Sequence, residues 1–125
     1  MFVKRSRKII EKFNNQEIKR VFAGANFFGQ ESIGVWQFRG NGVLILTSED
    51  LYFELWMPKN RICRIPIQSI VKVETAKWHL RKTKNRLLLK VVFINESGET
   101  DSAAWLVKDL ESWINLIQNL INKKK

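Results

Sequence analysis

Between Gly42 and Glu74 the apolar and polar positions change over at the short spacing of strands rather than at helical spacing. Val43–Thr47 and Leu51–Met57 are β-rich runs on either side of Ser48-Glu49-Asp50, which is the pattern of a tight antiparallel hairpin. Arg61–Ile67 is a third run. It contains Pro66, which donates no ladder hydrogen bond and so belongs at a strand end or a sheet edge. A fourth run opens with the alternating segment Ile70–Glu74 and continues to about Trp78. The middle of the chain therefore reads as an antiparallel meander.

The flanks extend this picture. Val3, Ile9, Ile10 and Phe13 recur with Phe2 at helical spacing, with Lys4, Arg5, Arg7, Lys8 and Lys12 mostly on other faces. This predicts a basic amphipathic helix that packs as a lid on its own domain. Gln16–Phe28 fits either period, and Gly24 with its small neighbours favours a strand over about Lys19–Asn26. Gly29–Ser32 reads as a polar loop, Ile33–Phe38 as a strand, and Arg39–Gly42 as a turn. Leu87–Ile94 is apolar on both faces apart from Lys90, the composition of a central strand between two packed layers. A turn at Asn95–Gly98 leads into Thr100–Val107 as the last strand. Asp109 stands at an N-cap position before Leu110, Trp113, Ile114, Ile117, Leu120 and Ile121, a stripe that predicts a terminal amphipathic helix over Asp109–Asn122.

The expected fold is mainly β, within the α+β class. About seven antiparallel strands form a barrel or sandwich capped by a C-terminal helix, with a basic helical extension in front. The boundaries predicted are 1–17 for the extension and 18–125 for the domain. At 125 residues, 45% of them hydrophobic, one core suffices. Cys63 is the single cysteine and reads as a small buried hydrophobe, and no apolar run is long enough to span a bilayer. These features predict a soluble, cytoplasmic protein, peripheral at most to the inner face of the membrane.

Charge changes the picture more than composition does. Of the net +10, residues 1–20 carry +5, Lys77–Lys90 carries +6 with no acidic residue, the three terminal lysines carry +3, and the rest is mildly acidic. An uneven basic charge suits an anionic partner, and solvated tails and loops are the plain alternative. The candidate anion- and membrane-binding residues are Lys77, Trp78, His79, Arg81, Lys82, Lys84 and Arg86, where cations flank an amphipathic tip.

Enzyme motifs do not survive inspection. Gly24 and Gly29 have phosphate-loop spacing, but Gln30-Glu31 stands where Lys-Ser/Thr is needed. Gly40 and Gly42 lack a third glycine and open no helix. His79 is the only histidine, so multi-histidine metal sites are excluded. Glu49-Asp50 reads as solvated turn chemistry. The five tryptophans (Trp36, Trp56, Trp78, Trp105 and Trp113) read as core or rim packing. The sequence predicts no enzyme, no metal and no cofactor.

The order G-V-L-I-L-T-x-x-x-L-Y-F, then R-I-P-I-x-x-I-V-K-V-E, then an apolar strand, a turn, A-W-L-V and a tryptophan-bearing helix resembles the pleckstrin-homology superfold. It is closest to the GRAM and bacterial PH-like branches. The matching region runs from about Val21 to Asn122, with Ile65–Ile67 and Trp113 its most recognisable pieces. The resemblance implies a fold used to dock on phosphoinositides or peptides. Phosphoinositide-binding members usually place basic residues in the loop between the first two strands. Here that loop would be about Phe28–Ile33, with Glu31 and no lysine or arginine. The expected partner is a protein or an anionic lipid surface met through Lys77–Arg86, with nucleic acid as the alternative.

Overall fold

A computed structural model of the chain describes residues 3–14, 17–33, 40–57, 61–77 and 87–124. In chain order these form α1 (Val3–Glu11), β1 (Ile18–Gln30), a 3₁₀ turn (Glu31–Ile33), β2 (Gly40–Thr47), β3 (Asp50–Leu55), β4 (Ile62–Pro66), a second 3₁₀ turn (Ile67–Ser69), β5 (Ile70–Ala76), β6 (Leu88–Ile94), β7 (Thr100–Leu106) and α2 (Leu110–Lys123). Seven strands make one antiparallel sheet in the order β4-β3-β2-β1-β7-β6-β5.

Strand β1 joins the two halves. Its first part pairs with β2 and its last part with β7. The register shifts between Ala23 and Ala25, and again between Phe27 and Gly29, with Gly24 at φ 119° and Gly29 at φ 108°. Bulges bend a strand, and positive φ comes free of steric cost only to glycine. The loop expected at Gly29–Ser32 is therefore replaced by four further residues of bent strand, Phe27–Gln30, and then a 3₁₀ turn. Ile33 lies in that turn, and the rest of the strand expected at Ile33–Phe38 falls outside the described residues. Since β1 continues through Phe28 to Gln30, the connection that leaves it begins at Glu31 rather than at Phe28.

The meander forms as the alternation requires. The β2–β3 hairpin closes over Ser48-Glu49, and the Thr47 hydroxyl oxygen accepts the backbone N–H groups of Glu49 (3.2 Å) and Asp50 (3.0 Å). Gly42 has no room for a side chain: a Cβ there would lie 2.1 Å from the Glu54 carbonyl oxygen. The interior is filled by Phe27, Leu44, Leu46, Phe53, Ile65, Leu89, Val91 and Trp105, with Phe27, Phe53 and Trp105 in mutual ring contact at 5.1–6.1 Å. Helix α2 lays Trp113, Ile117 and Ile121 on this core, as its stripe predicts.

Asp109 precedes α2 but does not cap it with its side chain. It is left-handed at φ 55°, and its carboxylate instead receives Arg20 at 3.1 Å. Strand β6, expected at the centre, is second from an edge. Both its faces are apolar because Leu89, Val91 and Phe93 face the core, while Leu88 belongs to a separate buried cluster with Phe28 and Ala104. Helix α1 places Ile9 and Phe13 against Val43, Ile45 and Tyr52, so β2 is buried on both faces.

Candidate functional site

Strand β4 is one edge of the sheet. Bonds from Leu55 N–H to the Arg61 carbonyl (3.0 Å) and from Ile67 N–H to the Glu49 carbonyl (2.8 Å) set the phase of its ladder with β3. With the two-residue period, Cys63 and Ile65 bond to β3, while Ile62 and Arg64 turn N–H and C=O away from the sheet. That outer edge lines a groove of about 780 Å³, a volume within the usual range of ligand pockets. The facing wall comes from the end of β1 (Gln30), the 3₁₀ turn after it (Ser32), the end of β6 (Phe93, Ile94) and the turn Asn95–Ser97.

One buried carboxylate organises that wall. Asp101, at the start of β7, accepts hydrogen bonds from the Gln30 amide (2.7 Å), the Ser32 hydroxyl (2.6 Å), the backbone N–H groups of Ser32 (2.9 Å) and Ser102 (2.8 Å), and the Asn95 amide (3.4 Å). Asn95 in turn accepts the N–H groups of Ser97 and Glu99, which holds the β6–β7 turn in place. Burial pushes the Asp101 carboxyl up, but the donors from Ser32, Gln30 and Ser102 outweigh it and hold the group below the usual carboxylate range. At the other end of the groove Asp50 is buried and accepts Arg64 at 2.8 Å, so it is not the solvated turn residue its sequence neighbourhood predicts. Cys63 is buried as expected, and desolvation pushes its thiol up to about 12, which disfavours the thiolate.

A second polar cluster lies under α1. Glu54 is fully buried and receives Arg5 from the helix, Lys12 (2.7 Å) from the turn that follows it and the Tyr52 hydroxyl (2.6 Å) from its own strand. The Trp56 indole N–H donates to the Ser6 hydroxyl at 2.7 Å, and Arg5 Nε donates to the Trp56 carbonyl at 3.3 Å. Burial alone would raise the Glu54 carboxyl, yet the bonds from Lys12, Tyr52 and Arg5 keep it lowered. The basic helix is thus anchored on a β3 carboxylate by one cation of its own and one from the turn that follows it.

Both carboxylates have folded-state values below their unfolded ones. Their stabilisation is complete above the unfolded range, about 3.9 for Asp and 4.3 for Glu, and is lost as pH falls through the lower folded values. Urea unfolding should therefore show stability falling as pH drops from about 5 towards 2. The slope should be shallower in Asp101→Asn, which is already weaker at neutral pH. An unchanged slope in that variant would mean that Asp101 makes no contribution to the acid limb.

Of the residues singled out for anion binding, Lys77 is described. It is exposed, directly after β5. Trp78, His79, Arg81, Lys82, Lys84 and Arg86 lie outside the described residues. The segment is rooted where Ala76 pairs with Leu88, and Leu87 beside it is 46% exposed. Of the tryptophans, Trp105 and Trp113 are buried, Trp56 is half-buried, and Trp36 and Trp78 lie outside the described residues.

Sequence reasoning missed Asp101 and Glu54. A signal for Glu54 was present in L-Y-F-E-L-W: strand alternation puts Glu54 beside Tyr52 on one face of a strongly apolar run, where a carboxylate needs a cation. Asp101 had no comparable signal, since its partners come from residues 30–32 and 95.

No protein-family model and no curated protein sequence matches the chain. Solved structures do match. The Vps36 N-terminal PH domain superposes with a TM-score of 0.62 at 13% identity, covering 86% of this chain and 80% of that one. The C-terminal domain of an unknown protein from Leishmania infantum superposes with a TM-score of 0.57 at 13% identity, covering 97% of this chain and 99% of that one. At that identity the likeness speaks to the fold alone. The chain has the pleckstrin-homology-like fold, seven antiparallel strands with a C-terminal helix.

Proposed function

We propose that this chain is a non-enzymatic PH-like module that attaches to an anionic membrane surface through the segment Lys77–Arg86. The observation that carries the reading is the acid-free run from Lys77 to Lys90, which leaves the end of β5 and runs into its paired strand β6. The root of that connection carries an exposed cation, Lys77, and a half-exposed leucine, Leu87. Cations beside apolar side chains suit the head-group level of a bilayer, where each basic residue contributes roughly 1 kcal/mol. Five such residues give weak, reversible attachment. Among the described residues no helix is long and apolar enough to cross a membrane, which is consistent with a peripheral mode.

Sedimentation with vesicles of graded phosphatidylserine content tests the reading. Binding should rise with anionic content and fall as salt shortens the screening length from about 10 Å at 0.1 M to 3 Å at 1 M. Changing Arg81, Lys82 and Lys84 together to Glu should abolish sedimentation and leave the melting temperature almost unchanged. If wild type ignores strongly anionic vesicles at low salt, or the triple variant binds equally well, the segment is not a membrane site. Salt-sensitive retention on single-stranded nucleic acid without vesicle binding would assign it to nucleic acid instead.

A further inference from the structure

We propose that the β4 groove is a second, independent docking surface, which takes an extended acidic segment of a protein partner as an added strand. Three observations carry this. First, Ile62 and Arg64 direct backbone donors and acceptors outward, as the phase of the β3–β4 ladder requires. An unpaired strand edge is a template for another extended chain. Second, the edge faces a bounded groove of about 780 Å³, not open solvent. Its far wall is held by the Asp101 hydrogen bonds before any partner arrives. Third, the ladder is closed at one end. Pro66 has no N–H, and its carbonyl already accepts the Ser69 hydroxyl at 2.8 Å. The edge thus offers two outward residues and a fixed stop, which sets the register of a short guest.

Charge selects the guest. The Arg64 side chain is 62% exposed and spends one of its guanidinium donors on Asp50. Arginine carries five donors in a planar fork, so others remain for a carboxylate across the added strand. Asp50 and Glu96 also line the groove, so the guest's acid has a place only beside Arg64 and clear of both carboxylates. A second copy of the chain is a poor guest, because pairing two β4 edges brings their arginines into one short interface on molecules of net charge +10.

The full chain should be screened against a displayed random-peptide library, and the selected peptides titrated by ¹⁵N-resolved NMR. The expected peptides are extended, carry an acid, and shift the amides of Ile62, Arg64 and Asn95. Methylating alternate backbone nitrogens of the peptide should weaken binding at least about tenfold, the effect of roughly one lost hydrogen bond. Arg64→Pro removes an outward N–H that the β3 ladder does not use, so it should show the same loss in a chain that still melts cooperatively. Arg64→Ala keeps the N–H and should weaken binding only roughly two- to fivefold. The Arg81, Lys82 and Lys84 triple variant should bind peptide as wild type does, which separates this surface from the membrane segment.

If Arg64→Pro does not fold, the N-methylated peptides decide alone. The proposal is overturned if the library yields no saturable binder, if methylation leaves affinity unchanged, if the shifted amides lie on α1, or if the chain dimerises through β4.

Discussion

Replacing Trp113 with alanine is expected to unfold the domain or bring it to the edge of unfolding. Trp113 is 0% exposed at the centre of the α2 stripe, packed on the same core as Trp105 and Phe53. Removing a buried aromatic costs about 3–5 kcal/mol, against a total stability of about 5–15 kcal/mol for a domain. The Arg20 guanidinium lies 5.7 Å from the ring centroid while also reaching Asp109, so the ring supports the contact that ties β1 to the start of α2. The Trp113 indole N–H is buried without an acceptor among the described residues. Trp113→Phe should therefore cost well under half as much, because it keeps a ring while removing an unpaired donor that burial penalises. Urea denaturation followed by circular dichroism separates the two variants. Equal losses would mean that the indole N–H has a partner in solution.

The double variant Arg5→Ala, Lys12→Ala should lose about 3–5 kcal/mol, the cost of leaving a buried charge without its partners. Lys12 is half-exposed and would contribute little on its own as a surface pair, whereas Glu54 is fully enclosed and has no recourse to water. The pH dependence should also change sign at this group. In wild type the Glu54 carboxyl sits low, so its contribution disappears on acidification. Without the two cations burial dominates and the folded value rises above the unfolded one. The contribution then exists below the unfolded value and is lost as pH rises through the folded one. Comparing unfolding free energies at neutral and acidic pH tests this. The deficit of the double variant should shrink in acid, and a constant deficit would mean that Glu54 does not control the docking of α1. Hydrogen exchange over Val3–Glu11 should accelerate in the same variant.

Local pattern was enough for most of the architecture. Alternation and turn residues between Gly42 and Glu74 place β2 to β5, and the Leu110–Ile121 stripe places α2, because period and capping are properties of neighbouring residues. The lid role of α1 followed from Ile9 and Phe13, whereas its anchor on Glu54 was missed, although a lone carboxylate in an apolar run signals the need for a cation. Other features are set by residues far apart in sequence and were decided only in the folded chain. The bend of β1 depends on where β2 and β7 each stop pairing, so Gly29 and Gln30 became strand where sequence suggested loop. Asp109 left its capping role because Arg20, 89 residues away, offers its side chain a charged partner. Asp50 became buried because Arg64 on β4 lies across the ladder from β3. The groove itself could not be read beforehand. Its two walls come from β4 and from the junction of β1, β6 and β7. Which backbone groups of β4 face outward depends on a ladder phase that only pairing with β3 establishes. The basic segment is the reverse case: its composition is plain in the sequence, and the fold adds the paired strand ends at Ala76 and Leu88 from which it starts.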